Sequence, residues 1–294
     1  MKTKGIESKT NKWGWLFVSL SVVFISIFVF YPTVASLVTS MKSGMGNNLQ
    51  FVGFDNYKKM FTDQTFVKAV TNTFIYLIFQ VPIMIVLAMI LASMLNSPNL
   101  RFKGFFRTAI FLPCVTSLVA YSIIMKSIFA GDGLVNQFLM SLHIISGPIE
   151  WVTDPFWAKV LIIIAITWRW TGYNMIFFLS GLQNIDPSVY EAASIDGAST
   201  FKKFTKITVP LLKPIILFTS ITSTIGTLQL FDEVKNITDG GPANATTTIS
   251  HYIYNLCFTY TPNFGYAAAV AYVIVIMIII LSIIQFKIGG DSNE

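Results

Sequence analysis

The chain has 294 residues, of which 54% are hydrophobic and only 12% charged, with a mean hydropathy of +0.65. A soluble domain carries roughly a quarter charged residues, so this composition excludes both disorder and an ordinary water-soluble globule. The net charge of +6 and pI near 9.2 then point to basic cytoplasmic loops rather than to nucleic acid.

A bilayer core about 30 Å thick needs roughly 20 apolar residues per helix. Six runs meet that length: residues 15–38, 69–95, 105–129, 157–182, 211–231 and 266–286. The first follows a basic stretch, as a signal peptide does. It is too long for a cleavable apolar region and five more runs follow, so it reads as an uncleaved helix. The expected fold is all-α: one polytopic transmembrane domain over 1–294 with six helices. With the N terminus inside, the inner segments hold twelve basic and six acidic residues, which accounts for the whole net charge. That bias predicts cytoplasmic N and C termini in a bacterial plasma membrane. Trp13, Trp15, Trp151 and Trp157 fall at or near span ends, as interface anchors do. Cys114 and Cys257 fit neither a disulfide framework nor a metal spacing and are expected to be unpaired.

The loops differ in kind. The first outer loop, 39–68, contains Phe51-Val-Gly-Phe-Asp-Asn-Tyr57. The second, 130–156, is rich in Gly, Pro and acids, and the third, 232–265, contains the turn signal Asp239-Gly-Gly-Pro242. His143 and His251 lie in outer loops and form no pair. The second inner loop, 183–210, is patterned. Asp186 before Pro187 is an N-cap and first-turn pair that should open a helix. Glu191 lies early in that helix, where negative charge suits the dipole. Gly197 can close it in a left-handed conformation. Ser199-Thr200 can cap a second helix that Pro210 should end. Ala192, Ala193 and Gly197 are small enough for another backbone to approach.

Glu191-Ala-Ala193, Gly197 and Ile207-Thr-Val-Pro210 together resemble the EAA loop of binding-protein-dependent ABC importer permeases. The likeness extends over about residues 15–288. Phe51–Tyr57 resembles the "FVGL-NY" segment of the sugar-permease branch, and Gly104–Pro113 its "GFFRTxxFLP" segment. Trp170-Thr-Gly-Tyr-Asn174, Gly181-Leu-Gln183, Thr238-Asp-Gly-Gly-Pro-Ala-Asn244 and Phe264-Gly-Tyr-Ala-Ala268 look like further family segments. The resemblance implies a subunit that pairs with a second, different permease. It implies two copies of a cytoplasmic ATPase that bind ATP and Mg and dock on Glu191, Ala192, Ala193, Asp196 and Gly197. It also implies an outside solute-binding protein that delivers a carbohydrate. No cofactor is implied in this chain. No G-x-x-x-x-G-K-[ST] run occurs, so ATP hydrolysis is not expected here and the chain is not read as an enzyme.

Polar groups inside a membrane must face a cavity or a partner. In the fourth run, Trp170, Tyr173 and Asn174 share one helical face by the i, i+3, i+4 rule. The maltose permease that the chain resembles meets sugar around a "W-x-G" run, like Trp170-Thr-Gly172, although Trp168 replaces an Asn of that protein. Its amide-rich next span corresponds to Thr227-Leu-Gln-Leu230, so Thr227 and Gln229 are candidate solute contacts. Arg169 is costly at a span centre. It is read either as a solute contact, which would suit a sugar acid or a phosphate ester such as glycerol phosphate, or as half of an ion pair with Asp232 or Glu233. A secondary transporter with its own ion coupling is the alternative class. It should show inverted repeats and buried carboxylates, and neither is evident in the sequence.

Overall fold

The computed structural model describes residues 3–44 and 49–290, with side chains from Trp13 onward. The two chain termini, whose cytoplasmic placement the charge bias predicts, lie outside the described residues. The chain divides into two compact units, one of residues 1–62 with 253–272 and the other of residues 63–252 with 273–294.

In the first unit, α1 runs over residues 3–40, as helix Thr3–Ile25, a wide π-helical turn Ser26–Phe30 and helix Tyr31–Ser40. From Trp13 onward its apolar side chains are exposed almost throughout, as suits a helix that faces lipid. A short hairpin follows, β1 (Lys42–Ser43) with β2 (Gln50–Phe51), then α2 (Asp55–Met60). The motif Phe51–Tyr57 acts as a clamp here. Buried Asn56 donates through Nδ2 to the Ser40 and Lys42 carbonyls at 2.8 and 2.9 Å, and the Tyr57 hydroxyl meets Ser40 Oγ at 2.7 Å. The Phe264-Gly-Tyr segment packs on the same hairpin. A Cβ at Gly265 would lie 1.8 Å from the Lys42 carbonyl oxygen, so only glycine fits.

The second unit holds α3 (Gln64–Asn96), α4 (Lys103–Val115), α5 (Leu118–Ile128), α6 (Leu134–Ser141), α7 (Pro155–Gln183), α8 (Pro187–Ile195), α9 (Thr200–Leu211), α10 (Lys213–Leu228) and α11 (Asp232–Ile237). The starts of α3 and α7 are fixed by caps: Asp63 accepts from the Thr65 and Phe66 amides, and Asp154 from those of Phe156 and Trp157. Two further helices continue from one unit into the other: α12, Ile249–Tyr254 with a π turn Asn255–Thr259, and α13, Phe264–Gly290.

Lipid is as apolar as leucine, so close packing rather than the hydrophobic effect holds helices together in a bilayer. Small residues accordingly line the contacts of α3 and α7, where Ala88, Ala92 and Ala165 are fully buried. A Cβ at Gly172 would lie 2.1 Å from the Ile110 carbonyl oxygen, so glycine sets how closely α7 approaches α4.

Four described helices are long and apolar enough to span a membrane. The all-α class is as expected, but two predicted spans are broken. Run 105–129 divides into α4 and α5, bent by 102°. The backbone turns extended at Thr116 and Ser117, with ψ near 150° and 133°. The fifth run begins later than expected: α9 passes through Pro210 and the 70° bend falls before Lys213. A π turn at Phe204–Thr208 widens the helix just ahead of Pro210, which relieves the clash of its ring with the carbonyl four residues back. Counting each bent pair as one span gives six crossings. Trp151 is not an interface anchor. It is buried against Phe129 and Trp157, and its indole donates to Asn136 Oδ1 at 3.1 Å. Both cysteines are free.

Candidate functional site

A cavity of about 230 Å³ opens between α3, α7 and α10. Its aromatic wall is Trp170 with Tyr173, whose rings meet edge to face at 5.7 Å and are each more than a third exposed. Phe177 and Phe218 continue the edge-to-face series behind Tyr173. The polar wall is a set of interlocked neutral groups. Thr227 Oγ1 donates to Gln80 Oε1 at 3.0 Å, and Asn174 Nδ2 donates to the Trp170 carbonyl at 3.0 Å. The Gln80 and Asn174 amides both reach Met84 Sδ, at 3.3 and 3.2 Å. Thr222 and Ser223 complete the polar lining, and none of the lining residues is charged. Flat aromatic faces beside amides and hydroxyls suit a ligand with C–H faces and many hydroxyls.

The structure brings Trp170, Tyr173, Asn174 and Thr227 together, as the helical spacing predicts. Four other candidates fall elsewhere. Trp168 stacks on Tyr121 at 5.7 Å and lines a separate apolar groove. Gln229 caps the C terminus of α10 and is exposed. Two residues on, Gln229 lies on the opposite side of the chain from Thr227, because helical faces are shared at i, i+3 and i+4. Asp232 opens α11 and is also exposed. Arg169 is buried with Glu233, whose Oε1 lies 4.0 Å from its Nε, so the ion pair forms with Glu233 and not Asp232. Glu233 is buried although it lies in the short α11, beyond the end of the fifth span at Leu228. Gln80, Met84, Thr222 and Ser223 were missed. The available signal was an amide at Gln80 inside a long apolar run.

The second region is the 183–210 loop, and its cap signals are realised, although Pro210 does not end α9. Asp186 accepts from the Ser188 amide at 2.9 Å, and this bond holds its carboxyl below the usual range. Gly197 has φ +73°, and the Ala198 amide returns to the Ala193 carbonyl at 2.9 Å. Ser199 caps α9 through the Lys202 amide. Two bonds close the hairpin: Tyr190 hydroxyl to Thr208 Oγ1 at 2.9 Å, and Lys203 Nζ to Ser194 Oγ at 2.6 Å. Glu191, Ala192, Asp196 and Gly197 are exposed, while Ala193 is buried against the hairpin. The loop therefore presents a rigid helix with an acidic, small-residue surface.

His251 is not an ordinary loop histidine. It is buried, with Nε2 3.4 Å from Asp239 Oδ1. Burial pulls its pKa below the ordinary value, while Lys235 holds Asp239 low. The surrounding loop is stitched to α3: Asn72 Nδ2 donates to the Asn244 and Thr247 carbonyls, and the Tyr76 hydroxyl to that of Thr246. Among the described residues no cluster of His, Cys, Asp or Glu could hold a metal ion.

The chain is similar over its length to named transport proteins. It is 60% identical over 282 residues to the lactose transport system permease protein LacF of Rhizobium radiobacter, with 95% of each chain covered. It is 33% identical over 280 residues to the arabinooligosaccharides transport system permease protein AraP of Bacillus subtilis, covering 94% of this chain and 88% of the relative. In fold it is similar to a chain of a bacterial ABC transporter involved in import of the acidic polysaccharide alginate, with a TM-score of 0.81, 22% identity, and 97% and 99% of the two chains covered. The model of one family, described as binding-protein-dependent transport system inner membrane component, matches residues 64–288. With both the cavity and the exposed hairpin inside that span, the chain belongs to the family of binding-protein-dependent transport system inner membrane components.

Proposed function

We propose that this chain is a transmembrane permease subunit of an ABC importer for a sugar or oligosaccharide, forming half of the translocation pathway. The observation that carries the reading is the cavity in which Trp170 and Tyr173 face the amides and hydroxyls of Gln80, Asn174, Ser223 and Thr227. Rings stack on the C–H face of a pyranose, and the neutral polar groups exchange hydrogen bonds with its hydroxyls. The names of the lactose and arabinooligosaccharide relatives support a carbohydrate solute.

In this reading a second, different permease completes the pathway, an extracytoplasmic solute-binding protein delivers the sugar, and both permeases sit in bacterial plasma-membrane lipid. The termini are cytoplasmic. Two copies of a cytoplasmic ATPase bind ATP with Mg and grip the exposed hairpin, with Glu191 and Asp196 facing basic groups of the ATPase. The caps at Asp186 and Ser199 and the Tyr190–Thr208 bond make α8 and α9 one stiff body, so movement of the ATPase is passed to α7 and α10 rather than lost in the loop. No ion coupling of its own and no nucleic acid enter the scheme.

The test is uptake by the reconstituted complex of both permeases, ATPase and binding protein over a panel of neutral mono- and oligosaccharides. ATP-dependent accumulation of at least one is expected. Accumulation driven by an ion gradient without ATP would return the chain to the secondary-transporter class.

A further inference from the structure

Directly behind the aromatic wall lies a buried charge that the cavity does not touch. Arg169 is buried between two rings, its guanidinium carbon 5.3 Å from the centre of the Tyr121 ring and 5.8 Å from that of Trp170. Its Nε and Nη1 make no hydrogen bond. The Glu233 carboxylate, at 4.0 Å, is its ion-pair partner, and α11 fixes that carboxylate because Val234 and Ile237 are fully buried in the core. Charge acts over long distances in a dry interior, where the effective dielectric is far below that of water. A guanidinium without its partner would place a positive potential on the cavity next to Trp170 and draw carboxylated or phosphorylated solutes. Paired with Glu233 its net charge is cancelled and only a dipole remains, and the lining itself is neutral.

We infer that Glu233 is a specificity-determining residue: it cancels Arg169 behind the Trp170 wall, so that the cavity takes uncharged saccharides and discriminates against acidic ones. The inference rests on reading the cavity as the solute site.

The test is equilibrium binding to the complete purified complex in nanodiscs, by saturation-transfer NMR. Lactose and arabinotriose serve as neutral probes and digalacturonate as the acidic one. The wild type is expected to prefer the neutral probes by about tenfold or more. Glu233→Gln keeps the shape and removes the charge, and should narrow that preference to within about threefold. Arg169→Met combined with Glu233→Gln removes both charges and should restore it. Glu233→Asp, which keeps the charge but lengthens the pair, should lie between and serves if the amide variant does not assemble. Equal binding of neutral and acidic probes by the wild type overturns the inference. So does a preference that neither Glu233 variant moves while neutral binding still depends on Trp170. Neutral binding that Trp170→Ala leaves unchanged instead overturns the solute-site reading beneath it.

Discussion

Trp170 contributes the largest exposed ring of the cavity wall and projects from the same face of α7 as Tyr173 and Asn174. Loss of a stacking ring costs about 1.4 kcal/mol, roughly tenfold in affinity. Trp170→Ala is therefore expected to assemble normally and lower uptake per assembled complex about tenfold, with Trp170→Phe recovering part of the loss. Normal uptake would make Trp170 a packing residue. The Gln80–Thr227 bond gives a second contrast. Gln80→Leu removes solute hydrogen bonds and leaves the Thr227 hydroxyl only the Ser223 carbonyl, whereas Gln229→Leu changes an exposed cap. Uptake should fall severalfold in the first, given about 1 kcal/mol for a lost neutral hydrogen bond, and stay near wild type in the second. The α7 half of the wall was legible because helical spacing fixes which residues share a face. The α10 half was misread at Gln229 because positions two apart, such as Thr227 and Gln229, fall on opposite sides of a helix. Gln80 was passed over because one amide hardly changes the average of a 27-residue stretch.

The 183–210 hairpin was readable almost residue by residue, since caps are local chemistry: Asp186 before Pro187, Gly197 in the left-handed region and Ser199 ahead of α9 need no distant contact. The bends at Thr116–Ser117 and before Lys213 were not readable, because they answer to packing that a hydropathy window does not see. Gly197→Asp puts a Cβ at φ +73°, a strain of about 1 kcal/mol or more, in space that is otherwise open. The cost to folding is therefore small, and the new bulk and charge should act on docking. We expect Gly197→Asp and Glu191→Lys to insert normally, co-purify less ATPase and transport poorly; full ATPase recovery with normal uptake in either would remove the docking role. The Asp239–His251 contact makes a different forecast. Because burial depresses the His251 pKa below its unfolded value near 6.5, the unfolded chain takes up more protons between those two values. Stability then rises with pH through that window and is lost on acidification below about 6.5. Asp239, also depressed, adds loss in the same direction at lower pH. Thermal unfolding of the solubilised complex should show a falling Tm from pH 7 to 5, and His251→Gln should flatten the upper part of that fall.

In the proposed topology the α8–α9 hairpin lies in the cytoplasm and α6 outside. In a background with Cys114→Ser and Cys257→Ser, a cysteine at exposed Ser141 should react with an impermeant thiol reagent in intact cells. Cysteines at exposed Asn99 and Ile195 should react only after permeabilisation; labelling of Ile195→Cys in intact cells would invert the map. The four unbroken spans were plain from the apolar runs, because a bilayer imposes a minimum length that few soluble helices meet. The stitching of the 238–248 loop to α3 was not, because its partners are far apart in sequence. Asn72 and Tyr76 wait for Asn244, Thr246 and Thr247, and Asp63 waits for the Tyr252 hydroxyl, across separations of 170 to 189 residues. Synthesis runs from the N terminus, so the ribosome must deliver more than half of the protein before these bonds can close. Until then the Asn72 amide and the Tyr76 hydroxyl lack these carbonyl partners. An unfinished chain thus differs chemically from a finished one near the start of α3, where a donor amide and a phenol hydroxyl have no carbonyl to meet until residues 244–247 have been made.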